Sequence, residues 1–163
     1  MSKDKKTALE VASAYLASRM RTVQEVRKRL KDKEYDASEA EEAVKELIDL
    51  GYLDDYAYAM RYYEYSREKR RGSLRAMREL LEKGVSEETA KNAREDFLYS
   101  NKVDEFSDAL ALALRDAEGK ETDDKLVAKT ARKLESKGFE KRDIIRVLEE
   151  LRRKDINDED LDY

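Results

Sequence analysis

Leu80-Leu81-Glu82-Lys83-Gly84-Val85 is the stretch whose reading decides the fold. It closes one run of helically spaced apolar residues and stands just before another. Glycine past such a run is a helix stop, because a residue without Cβ enters the left-handed region without a clash. The lysine before it sits in the last helical turn, where a cation complements the negative end of the dipole. The leucine is the last core anchor of the helix, and the valine plugs the turn. The phrase recurs as Leu134-Glu135-Ser136-Lys137-Gly138-Phe139 and, with Glu in place of Gly, as Leu30-Lys31-Asp32-Lys33-Glu34-Tyr35. Each copy is followed, without gaps, by small or apolar residues at fixed offsets. These are Ala40, Ala43 and Leu47 after Tyr35, Ala90, Ala93 and Phe97 after Val85, and Ile144, Val147 and Leu151 after Phe139. A period of roughly 50 residues with helical spacing inside it predicts a helical repeat array.

The expected fold class is all-α: three tandem three-helix repeats. Repeat one covers 5–53, repeat two 54–101, repeat three 102–153, and an acidic, frayed tail 154–163. Helices are expected at about 5–18, 22–33, 37–50, 54–70, 73–83, 86–99, 103–117, 123–137 and 140–153, from apolar stripes at 3.6-residue spacing. Thr22-x-x-Glu25 opens the second helix as a capping box, and Asp36-x-x-Glu39 opens the third in the same pattern. Glu34 is the exception among the turns. A non-glycine residue there costs about 1–2 kcal/mol, so the first turn is expected to be strained or shaped differently. The polar segment Asp116–Thr122 is the expected hinge.

Gly51-Tyr52-Leu53-Asp54-Asp55 marks the seam between the first and second repeats. Gly51 stops one helix, Tyr52 and Leu53 plug the joint, and the two aspartates start the next helix by capping it. Adjacent residues on a helix do not face each other, and no further acid stands at i+3 or i+4. Capping is therefore the reading for this pair, and no metal ligand is assigned.

Composition narrows the chemistry. Charged residues make up 45% of the 163, and proline, cysteine and histidine are absent. Common zinc sites, Cys–His pairs and Ser–His triads are excluded, and the five glycines stand too far apart for a phosphate loop. No catalytic residue and no cofactor is expected. No apolar run approaches the ~20 residues that span a bilayer, and the N-terminus does not read as a signal peptide. A cytoplasmic, monomeric protein without a membrane partner is the expectation.

The net charge of −4 hides segregation by element. Residues 19–33 hold seven cations against two acids, residues 34–49 seven acids against one cation, and residues 61–78 seven cations against two acids. Such segregation points to a charged partner. The candidate contacts are Arg19, Arg21, Arg27 and Lys28 in repeat one, and Arg67, Lys69, Arg70, Arg71, Arg75 and Arg78 around the densest basic joint. Six of the ten tyrosines lie between 52 and 65. They are expected to pack between repeats, with Tyr63 and Tyr65 exposed.

With these residues in view, the chain resembles the RecX family of bacterial recombination regulators. The resemblance is carried by Tyr15-Leu16 with Arg19 and Arg21-Thr22, and by Gly51-Tyr52-Leu53-Asp54-Asp55 followed by Tyr58-Ala59. It continues through Gly72, Arg75, Leu80, Lys83-Gly84-Val85, Leu134 and Lys137-Gly138-Phe139. Glu34 stands where the family pattern has glycine, and the chain is net acidic. The resemblance implies an elongated, curved module whose partner is the RecA recombinase filament on single-stranded DNA. It implies a non-enzymatic regulator that inhibits ATP hydrolysis, filament growth and strand exchange. Two alternatives stay open on the residues alone: a helical protein that binds nucleic acid directly, and a helical-repeat adaptor for another protein.

Overall fold

The structure, a computed structural model, describes the backbone of residues 5–159 and side chains as far as Asp155. Among the described residues there are nine α-helices and no strands: α1 (Ala8–Ser18), α2 (Val23–Asp32), α3 (Ala37–Asp49), α4 (Asp55–Glu68), α5 (Ser73–Glu82), α6 (Glu87–Ser100), α7 (Glu105–Ala117), α8 (Asp124–Lys137) and α9 (Lys141–Glu159). Most bounds fall within a residue or two of the periodicity. The largest difference is α9, which runs past the expected end at 153, because no Gly or Pro stops it there. The rest of the expected tail, 160–163, lies outside the described residues.

The chain divides into two compact units. One comprises the residues up to Tyr62 together with Glu79–Ala93; the other comprises Tyr63–Arg78 together with the residues from Arg94 onward. In the first unit α1 packs on α2 and α3, and α2 on α3. Alanines at the seam (Ala8, Ala12, Ala40, Ala43) bring helices close around Val26, Leu30, Val44, Leu47 and Leu53. In the second unit α9 packs on α7 and α8. Its core is Ala109, Ala113, Leu134, Phe139, Ile144, Val147 and Leu151. Burial of such side chains is worth roughly 1.5–3 kcal/mol each for the larger ones.

The repeated turns share one geometry. The N–H groups of Tyr35, Val85 and Phe139 donate to the carbonyls of Leu30, Leu80 and Leu134 at 3.1, 3.0 and 3.1 Å. Glu34 adopts φ +63, in the left-handed region with Gly84 at +89 and Gly138 at +95. The first turn is thus shaped like the others and carries the backbone strain.

Two of these turns are also sockets. In the first unit the Thr22 hydroxyl donates to the Lys83 carbonyl at 2.7 Å, and the Gln24 side chain lies where a Cβ on Gly84 would go. In the second unit Gly72 N–H donates to the Lys137 carbonyl at 2.9 Å and Leu74 N–H to the Gly138 carbonyl at 3.1 Å. There Arg75 lies where a Cβ on Gly138 would go. The start of α2 is seated in the turn that ends α5, and the start of α5 in the turn that ends α8.

The starts of α1 and α2 are capped twice, once locally and once from a neighbour. Thr7 and Thr22 accept from the N–H groups of Glu10 and Glu25, the third residues of α1 and α2. The first N–H of each helix is left over, since a short cap side chain does not reach it. An acid from the start of another helix takes it. Glu39 accepts from Ala8 N–H at 3.1 Å, Asp55 from Val23 N–H at 2.9 Å, and Glu105 from Ser73 N–H at 2.8 Å. Two expectations change here. Asp36 makes no side-chain cap of α3, and the Glu39 side chain serves α1. Asp54 caps its own helix through Ala57 N–H, whereas Asp55 caps α2.

Two aromatic expectations are also corrected. Leu53 plugs the first seam, being 1% exposed, but Tyr52 is 70% exposed. Tyr63 is buried and stacks on Phe97 with centroids 5.9 Å apart. It falls on the core stripe of α4 with Ala59 and Ser66, at i−4 and i+3. Tyr65 is exposed as expected.

Candidate functional site

The second unit carries an open groove of about 530 Å³. One bank is the end of α4 and the turn after it, with Arg67, Glu68, Arg70 and Arg71. The other is α7, with Asp108, Ala111, Leu112 and Arg115, and Phe139 closes the floor. Leu112 sits on the second unit's core cluster beside Phe139, so the floor is rigid and apolar while the banks are charged. Arg67 is already occupied: its Nε and Nη2 reach the two carboxylate oxygens of Asp108 at 3.0 and 3.3 Å. This bidentate bond holds the Arg67 guanidinium protonated, raising its pKa further. It also ties the two banks together. Among the described residues Arg70, Arg71 and Arg115 form no such ion pair.

Arg70 shows how the sequence shapes the bank. After Glu68 the chain leaves the helix through a left-handed residue, and Arg70 holds that position at φ +58. Its N–H donates to Arg67 C=O at 2.8 Å, and Arg71 N–H donates to Ser66 C=O at 3.1 Å. A glycine would relieve about 1–2 kcal/mol of backbone strain there. An arginine at this position instead projects a cation on the groove's rim.

The other sequence candidates separate into groups. Arg27 is paired with Glu41 at 2.7 and 3.2 Å. Arg19, before α2, and Lys28, in the middle of α2, are exposed, and Arg78 is exposed on α5. Arg21 lies over the Tyr15 ring, 4.0 Å from its centre. Lys69 lies 5.7 Å from the ring of Tyr65. Arg75 belongs to the Gly138 socket. The structural-motif residues Gly51, Tyr52, Leu53, Asp54, Asp55, Lys83, Gly84, Lys137, Gly138 and Phe139 sit at the seams and sockets described above. Arg67, Arg70 and Arg71 are the candidates that one groove brings together.

Sequence reasoning missed Arg115, Asp108 and Leu112. Their signal was available only as i, i+4 and i, i+7 neighbours on α7, without anything to show that this face meets the end of α4. It also missed Arg94, which anchors the joint behind the groove. The Arg94 guanidinium donates to Ser73 Oγ at 2.7 Å and Glu140 Oε1 at 2.5 Å, and lies 3.6 Å from Glu105. The Arg94 hydrogen bond holds the Glu140 carboxyl below its ordinary range, against the opposing effect of burial.

These features define the class: an all-α protein built of tandem three-helix domains, with a basic groove beside one of its joints. The family model for the RecX first three-helix domain matches residues 8–47. Regulatory protein RecX of Halalkalibacterium halodurans is 38% identical over 96 residues, 58% of this chain and 36% of that protein. Regulatory protein RecX of Lactobacillus delbrueckii subsp. bulgaricus is 37% identical over 90 residues, 55% of this chain and 33% of that protein. The matched stretch thus spans about a third of the length of these curated relatives. The crystal structure of RecX from Lactobacillus salivarius superposes with a TM-score of 0.78 at 25% identity, over 88% of this chain and 94% of that one. In sequence and in fold, then, the chain is similar to RecX regulatory proteins.

Proposed function

We propose that this protein is a regulator that binds RecA-type recombinase filaments on single-stranded DNA and inhibits ATP hydrolysis, filament growth and strand exchange. The observation that supports this best is the superposition on a RecX structure over nearly the full length of both chains. It acts without catalysis of its own, in the cytoplasm, as a monomer. The groove between α4 and α7 is the contact surface, with Arg70, Arg71 and Arg115 meeting acidic side chains or phosphates of the filament. A ligand that binds one filament state better than another shifts the filament toward that state by its difference in affinity. Contacts to two adjacent filament subunits raise the effective concentration of the second contact.

Co-sedimentation with RecA filaments assembled on single-stranded DNA tests this. The protein is expected in the pellet with filaments and in the supernatant with the DNA alone. Equal pelleting with both would favour the reading as a direct nucleic-acid binder, for which the same three arginines are the motivating observation. Absence from both pellets would reject the two readings together.

A further inference from the structure

A second basic recess lies in the first unit. Lys6, Arg21, Arg29 and Lys33 line it together with Tyr15 and Tyr35, around a space of about 650 Å³. Among the described residues no carboxylate lines it. Among the described residues none of the four cations takes part in an ion pair.

The recess is built as well as charged. Tyr15 holds two of the cations: the guanidinium of Arg21 lies 4.0 Å from its ring centre and that of Arg29 5.2 Å. The Tyr35 hydroxyl donates to the Lys6 carbonyl at 2.5 Å, which fixes the approach of the Lys6 backbone. Arg21 Nε is shielded from solvent and has no hydrogen-bond partner. A buried N–H donor left unpaired is costly, and like charges gathered around one space repel. An anion in the recess would relieve that repulsion.

We propose that this recess binds the phosphate chain of a small oligophosphate, either a nucleoside triphosphate or a bare triphosphate. Four cations around a single space match the three to four charges of such a chain. A carboxylate ligand would leave most of that charge uncompensated. A nucleic-acid strand is matched by cations spaced along a track, with open aromatic faces for its bases; here the two rings are faced by cations, Tyr15 by Arg21 and Arg29 and Tyr35 by Lys5. The site is separate from the α4–α7 groove, so it stands or falls independently of the filament reading.

Calorimetric titration of the full chain with sodium tripolyphosphate, with ATP and with a single-stranded oligonucleotide tests it. Tripolyphosphate and ATP are expected to bind. The exposed pair Arg29→Gln with Lys33→Gln should weaken both by roughly ten- to hundredfold, the scale of losing charge-assisted hydrogen bonds. Arg21→Gln should do the same, and thermal melts of each variant show whether it is folded. Lys125→Gln with Lys141→Gln, an equal charge change elsewhere, should leave binding unchanged. Tighter binding of ATP than of tripolyphosphate would mark a nucleotide as the ligand, and equal binding the phosphate chain alone; both support the proposal. It is overturned if neither oligophosphate binds at millimolar concentration, if the oligonucleotide alone binds, or if the control pair weakens binding as much as the recess variants.

Discussion

Gly138 meets two separate demands, a left-handed backbone and a neighbour pressed against its Cα. Its φ is +95, and a Cβ there would collide with the Cβ and backbone N of Arg75. Gly51 meets only the first demand: its φ is +80, and nothing stands within 4 Å of where a Cβ would be. Glu34 sits in the same left-handed region, exposed, at φ +63. The three positions therefore order themselves. Glu34→Gly should raise the melting temperature, by about 1 kcal/mol of stability. Gly51→Ala should cost about 1 kcal/mol, and Gly138→Ala clearly more than Gly51→Ala, because it also has to part the socket. Equal losses at Gly51 and Gly138 in denaturant titrations would remove the socket argument. Asp55 offers a second test at this scale. Burial pushes its carboxyl above the ordinary range, although its bond from Val23 N–H works the other way. The acceptor oxygen, more than the charge, is what α2 uses. Asp55→Asn should therefore be nearly neutral, while Asp55→Ala should cost about 1 kcal/mol, the usual loss of a cap. An asparagine as damaging as the alanine in thermal melts would show that the charge itself is required.

Helices here are joined by their ends as much as by their stripes. Arg94 on α6 collects Ser73 at the start of α5, Glu105 at the start of α7 and Glu140 just before α9. The pH dependence of this joint follows from Glu140. Its folded pKa is lowered, by the Arg94 hydrogen bond first. A carboxyl of that kind adds stability above its ordinary value of 4.5, which is lost as pH falls through the lower folded value. Glu140→Gln should therefore melt below the parent at neutral pH, and the gap should close progressively as the pH is taken below 4.5. A gap that stays constant with pH would mean that the ion pair contributes through packing alone. Element existence was legible in the sequence, because 3.6-residue spacing, Lys-Gly stops and Thr22-x-x-Glu25 are local signals. The exchange of caps was not. Glu39 and Asp36 form a capping pattern by spacing, and only the packing of α3 against α1 decides that Glu39 serves Ala8 instead. Tyr63 was misplaced for a related reason: a basic, tyrosine-rich stripe looks solvent-facing until Phe97 is seen across from it.

On the scale of the whole chain, the basic joint of repeat two was visible as a run of arginines, but its groove was not. Half of the groove comes from α7, and the residue that neutralises Arg67 is Asp108, 41 positions away. No local pattern links them. Among the described residues no helix is long and apolar enough to cross a membrane. If the α4–α7 groove meets the filament, then Arg70→Gln, Arg71→Gln and Arg115→Gln together should weaken filament binding by tenfold or more without lowering the melting temperature. Arg67→Gln should instead lower stability, because it leaves Asp108 without its partner. Loss of binding in neither set would move the contact surface elsewhere. The most direct test of the regulatory account is the steady-state ATPase rate of RecA on single-stranded DNA, with this protein added below one copy per RecA subunit. The account predicts a rate that falls with added protein and is restored by the triple arginine variant. An unchanged rate at saturating protein would contradict it.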